Sequence, residues 1–228
     1  MSDTLINREG ALEQKRLAEQ LAASPQGGYS VCSALVDEAE QRLTSAADAM
    51  ARSLSECRNA MEQWLEELER LSALLKPRDS IFRSAPSAQV YGDVCRAAAR
   101  LEERSRELRG RALRFAAVGE LLTQAELCVP NAKRSVLAIM TDTDNTDERA
   151  RGEALLQRLN ACETGGGALK QRLYGQRLSW GEFCNNAMTR FLVGLQNCAD
   201  LENDGAGASL SSLRTLCAEI RCAAQRVL

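Results

Sequence analysis

Between Val36 and Leu75, apolar residues return every seven positions in two interleaved rows. One row is Val36, Leu43, Met50, Cys57, Trp64 and Leu71, and the other is Ala47, Leu54, Met61, Leu68 and Leu75. From Leu43 onward the spacings alternate between four and three, with Glu40 the only interruption at the start. Only a helix brings residues so spaced onto one side, and a seven-residue repeat held for this long is the seam of a coiled coil. The segment 29–76 is therefore expected to be one helix. At about 1.5 Å per residue it would reach on the order of 70 Å, where an ordinary globular helix has about 12 residues.

The next segment, 88–128, carries a matching row: Val94, Leu101, Leu108, Phe115 and Leu122. Beside it runs a companion row of small residues, Ala98, Ser105, Ala112 and Gly119. Small residues let a neighbouring backbone come close, and Met50, Leu54, Met61 and Trp64 supply side chains to fill the gap. The short connection between the segments makes antiparallel pairing the default. The expected result is a helical hairpin over 29–128, with Leu43, Met50, Leu54, Cys57, Met61, Trp64, Leu68, Leu71, Leu101, Leu108 and Phe115 in its seam.

Prolines and glycines divide the remainder. Pro25 to Gly28, Pro77 and Pro86, Pro130, Gly165 to Gly167 and Asn203 to Gly207 all read as breaks, because proline blocks helix interiors and glycine favours left-handed caps. Helices are expected near 3–23, 29–76, 88–128, 131–162, 167–202 and 208–227, with a further break near Thr141 to Thr146. In 167–202, Trp180, Cys184, Ala187, Phe191, Leu195 and Cys198 form an apolar stripe, widened by Leu173, Phe183, Met188 and Leu192. In 208–227 the stripe is Leu210, Leu213, Leu216, Cys217, Ile220, Ala224 and Val227. The fold class is all-α: a single elongated antiparallel bundle over 1–228, with helices of 131–228 packed on or beside the hairpin. The few prolines and the 4% aromatic content fit that class.

Composition narrows function more than it defines it. There is no histidine, so serine triads, cysteine–histidine dyads and imidazole metal sites are excluded. The formal net charge of -2 gives no global field to draw nucleic acid. The first ten residues lack the apolar stretch of a secretory signal, and no stretch is apolar enough to span a membrane. The nine cysteines are scattered without a CxxC pair, which speaks against zinc. They read as reduced residues of a cytoplasmic, reducing compartment.

Two polar clusters stand out. Asp142 to Glu148, with Glu153, faintly mimics a calcium loop, but Asp147 sits where the turn glycine belongs. It reads better as a solvated loop, with Asp144 or Thr146 capping the next helix. Arg100, Arg104, Arg106, Arg109, Arg111 and Arg114 are interleaved with Glu102, Glu103 and Glu107. Helical spacing pairs Glu102 with Arg106, Glu103 with Arg106 and Glu107 with Arg111. This face is a salt-bridged surface and the candidate partner face. The leading reading is a non-catalytic scaffold or adaptor that binds proteins through helix faces or coiled-coil association, a second copy of the chain included, with no cofactor, metal or nucleic acid. The competing readings are a membrane-docking or membrane-remodelling bundle and a secreted helical effector or toxin component.

Overall fold

A computed structural model describes residues 25–75, 88–199 and 206–228. The helix expected over 3–23, the connection 76–87 and the first part of the 203–207 break lie outside these residues. The described residues are helical throughout, apart from short turns, and contain no strand. The helices are α1 (Pro25–Leu74), α2 (Ala88–Asp142), α3 (Thr146–Glu182), α4 (Met188–Ala199) and α5 (Ala206–Gln225). A π-helical turn, Phe183–Ala187, joins α3 to α4.

Three expected breaks are helical instead. Pro25 begins α1, as suits a residue whose missing N–H is an orphan at a helix start anyway. Pro130 lies inside α2. Its ring is exposed while its neighbours Cys128, Val129 and Ala132 are buried. Packing on the inner side holds the helix together, and water can satisfy the carbonyl that proline deprives of a donor. Gly165, Gly166 and Gly167 lie inside α3, where a Cβ added at Gly165 or Gly166 would meet the Leu43 side chain at 3.6 or 3.7 Å. The expected break near Thr141 to Thr146 is present, at residues 143–145.

The helices divide between two units. The first comprises Met1–Ala49 and Val118–Gln171, described from residue 25, and the second Met50–Ala117 and Arg172–Leu228. Helices α1, α2 and α3 each contribute residues to both units.

In the first unit, the start of α1, the end of α2 and most of α3 enclose a core of Cys32, Val36, Ala39, Cys128, Val129, Ala132, Val136, Leu159 and Cys162. Gly28 lies against Ile139, so α1 and α2 run antiparallel here, whereas Arg158 reaches Asp37 and Glu40 and runs α3 parallel to α1. The buried partner of the Val36 row is Cys32, Ala39 and Ala46, on the side opposite Ala47. Leu43 is only half-buried.

In the second unit the α1 seam follows the expected rows: Met50, Leu54, Cys57, Met61, Trp64, Leu68, Leu71 and Leu75 are all buried. Opposite them Leu101, Leu108 and Phe115 are buried on α2. Trp64 donates its indole N–H to Ser105 Oγ at 2.8 Å, and Glu67, Gln63 and Glu56 meet Arg100, Arg104 and Arg111 in descending order, which fixes the pair as antiparallel. Trp64 also packs edge-on against Phe183 and Phe191, each with ring centroids 5.8 Å away. On α5, Arg221 bonds Glu69 and Arg214 bonds the Leu75 carbonyl. Of the expected stripes, Trp180, Cys184, Phe191 and Leu195, then Leu213, Cys217, Ile220 and Ala224, are buried, Ala187, Leu192, Leu216 and Val227 are half-buried, and the side chains of Cys198 and Leu210 lie outside the described residues.

Candidate functional site

The inner side of α2 differs from the expected small row. Of Ala98, Ser105, Ala112 and Gly119, only Ser105 is fully buried. The buried small residue near the start is Ala97. Residues 104 and 111, three after Leu101 and Leu108, are arginines at the edge of the seam and half-buried. The inner line of α2 thus runs through Ala97, Ser105 and Val118, and Arg104 and Arg111 flank it.

Four of the six arginines are held by groups of the second unit. Arg100 bonds Glu67, a carboxylate 7% exposed that Arg70 also bonds. Arg104 bonds Gln63 and Glu107. Arg111 bonds Glu56 and, as its spacing predicts, Glu107. Arg109 donates to the Cys184 carbonyl at 3.3 Å and to Thr189 Oγ1 at 2.7 Å. The Cys184 carbonyl lies in the π-helical turn, and Thr189 Oγ1 donates to it as well. Arg106 and Arg114 are exposed. Neither makes an ion pair among the described residues, so the expected Glu102 and Glu103 pairs with Arg106 are not formed. Hydrogen bonds from Arg104 and Arg111 hold the Glu107 carboxyl below its usual range, against the opposing effect of its partial burial.

The thiols are built into the structure. Cys32, Cys57, Cys128, Cys162, Cys184 and Cys217 are buried free cysteines, and Cys95 and Cys222 are exposed ones. Burial pushes Cys32, Cys57 and Cys184 up to about 11, which suppresses the thiolate that nucleophilic or redox chemistry needs. Among the described residues no cluster of three cysteine, aspartate or glutamate side chains could hold a metal ion. The acidic loop is a cap: Asn145 Oδ1 accepts the Asp147 N–H, in place of the expected Asp144 or Thr146, and Thr143 donates to Glu148. No described helix is long and apolar enough to cross a membrane.

Large apolar side chains also lie on the outer faces, away from the seam rows. In the second unit Tyr174 and Leu178 are 64% and 55% exposed, one helical turn apart on α3. A Cβ added at Gly175 or Gly181, beside them, would meet nothing. On α2, Leu113 is 72% exposed. The available signal was that Tyr174 and Leu178 fall outside the 3–4 stripe of Leu173 and Trp180, so they are large apolar residues with no place in the core. The chain matches no known family, no curated protein and no solved structure.

Proposed function

We propose that the chain is a non-catalytic helical scaffold or adaptor that binds other proteins through exposed helix faces in a reducing, cytoplasmic setting. The observation that carries this reading is the exposed Tyr174 and Leu178 pair on the firmly packed second unit. Large apolar side chains cost free energy in water, and a tyrosine beside a leucine on a helix is the kind of anchor a partner's groove or helix takes up. The adjacent open glycines let a partner backbone come close. The arginine face supports the same reading less strongly, because only Arg106 and Arg114 are left unpaired there. Coiled-coil association is the second form of the proposal. A photo-crosslinking residue at Leu178 tests it in cells. The expected outcome is a discrete adduct that is lost in Tyr174→Asp, while an equivalent probe at the buried Leu173 gives none. Labelling indifferent to Tyr174→Asp would refute the assignment.

A further inference from the structure

In the first unit α2 turns an apolar stripe outward. Leu127 and Leu137 are 64% and 50% exposed, and Pro130 between them is exposed too. Leu127, Pro130, Arg134 and Leu137 follow one another at three, four and three residues, which is one face of a helix. The core side chains of the same stretch, Cys128, Val129, Ala132 and Val136, take other positions around the helix. The outward stripe is thus no part of the first unit's own core.

Charge says what covers it. Glu120 and Arg134 lie seven residues before and seven residues after Leu127, on its side of the helix, and both are exposed. Neither meets an opposite charge among the described residues. Arg134 bonds only the Asn131 side chain and the Pro130 carbonyl.

We propose that this face docks a second copy of the chain, antiparallel, about a two-fold axis at Leu127. Leu127 then meets its own equivalent. The residue seven before the axis faces the residue seven after it on the copy, so Glu120 faces Arg134 on both sides. An isologous contact needs such self-complementarity, and one acid and one base equidistant from a central leucine supply it. Parallel pairing would instead oppose Glu120 to Glu120 and Arg134 to Arg134, which like-charge repulsion disfavours. The inference rests on reading the chain as a protein-binding helical module, but on another unit and another face than Tyr174 and Leu178, so either can fail alone.

The test is light scattering after size exclusion, on the full 228-residue chain over a range of concentrations. A reductant excludes disulfide-linked copies through Cys95 or Cys222. The expected mass rises with concentration from 24.9 kDa toward twice that value. Leu127→Glu should remain monomeric with an unchanged circular-dichroism spectrum, since the site is exposed. Glu120→Arg and Arg134→Glu should each weaken association about tenfold or more, because every reversal acts twice in a symmetric pair. The double variant Glu120→Arg with Arg134→Glu should recover it. A monomer at all concentrations overturns the proposal, whether the stripe is bare or covered by another segment of the chain. A dimer indifferent to Leu127→Glu, or single reversals that the double variant does not rescue, overturns it equally.

Discussion

The first unit centres its core on cysteine, alanine and valine with Leu122 and Leu159, and the half-buried Leu35, Leu43, Ile139, Met140, Leu155 and Leu156 close it. The second closes its core with Trp64, Trp180, Phe115, Phe183 and Phe191, supported by Met61 and Met188. Small inner side chains let helices approach closely. Large ones hold helices apart and fill the gap, burying more apolar surface per residue. The two cores should therefore fail differently: the aromatic one to truncation, the small one to enlargement.

The largest effect is expected at Trp64. Trp64→Ala removes the ring that Phe183 and Phe191 pack on and should cost about 3–5 kcal/mol by chemical denaturation. Leu68→Ala in the same seam should cost roughly 2–5 kcal/mol. Val36→Ala removes much less volume from the first unit and should cost distinctly less than either. Equal losses at Trp64 and Val36 would erase the distinction between the cores.

Alkali probes both cores through their thiols. Cys57 and Cys184 in the second unit, and Cys32 in the first, are raised from an ordinary 9.0 to about 11 by burial. A group whose folded pKa lies above its unfolded value contributes stability that is complete below the unfolded pKa and is lost as pH climbs through the folded one. Stability should thus be level below about pH 9 and fall between about 9 and 11, where the unfolded thiols ionise first. At about 1.4 kcal/mol per pH unit, the share of each thiol is on the order of 2–3 kcal/mol. Cys184→Ala should make the fall shallower in denaturant titrations run with reductant. An unchanged slope would mean that this thiol ionises as freely folded as unfolded.

Enlargement is the converse test. Ala39 is wholly buried in the first unit, so Ala39→Leu should cost about 1–3 kcal/mol through overpacking. Ala112 was expected to behave alike, but it is half-buried and off the inner line of α2. Ala112→Leu should therefore stay within about 0.5 kcal/mol of wild type, as a substitution near the surface does. A penalty at Ala112 equal to that at Ala39 would put Ala112 on the inner line of α2.

This pair of alanines shows how far the sequence could be read. The Met50 to Leu75 rows were legible because apolar residues, all large but Cys57, repeat without a gap, so any other face would leave several of them in water. On α2 the large row, Leu101, Leu108 and Phe115, was equally plain. Its companion was not, because alanines at 97, 98 and 99 offer three phases of nearly equal hydrophobicity. Tertiary packing chose Ala97 and then Ser105, and left Arg104 and Arg111 at the edge, where aliphatic stems can line a seam while the charged ends stay outside it. The breaks at Pro130 and Gly165 failed for a related reason. Local propensity costs there only about 1–3 kcal/mol, and packing of the flanking residues outweighs it. The division into two units had a trace in the sequence, since the buried companion row of α1 changes from cysteine and alanine before Met50 to leucine and methionine after it. An ideal helix drifts about 20° per heptad from a strict seven-residue repeat, so a long seam does not keep one companion row throughout.

The smallest expected effect is a gain, one in each unit. Gly167 in the first unit and Gly181 in the second both sit inside α3, and an added Cβ would meet nothing within 4 Å at either. No described residue has a positive φ that would demand glycine. Glycine in a helix interior costs roughly 0.5–1 kcal/mol relative to alanine, chiefly through the freedom it keeps when unfolded. Gly167→Ala and Gly181→Ala should each stabilise by that amount, read as a raised melting temperature. The two positions differ in one respect: Gly181 lies just before the π-helical turn at Phe183–Ala187, whose Cys184 carbonyl accepts from Arg109 and Thr189. If α3 is ordinary helix up to that turn, the gains will match. A gain at Gly167 with a loss at Gly181 would show that the approach to the turn needs glycine. The second unit would then hold its aromatic core at a local backbone cost that the first unit does not bear.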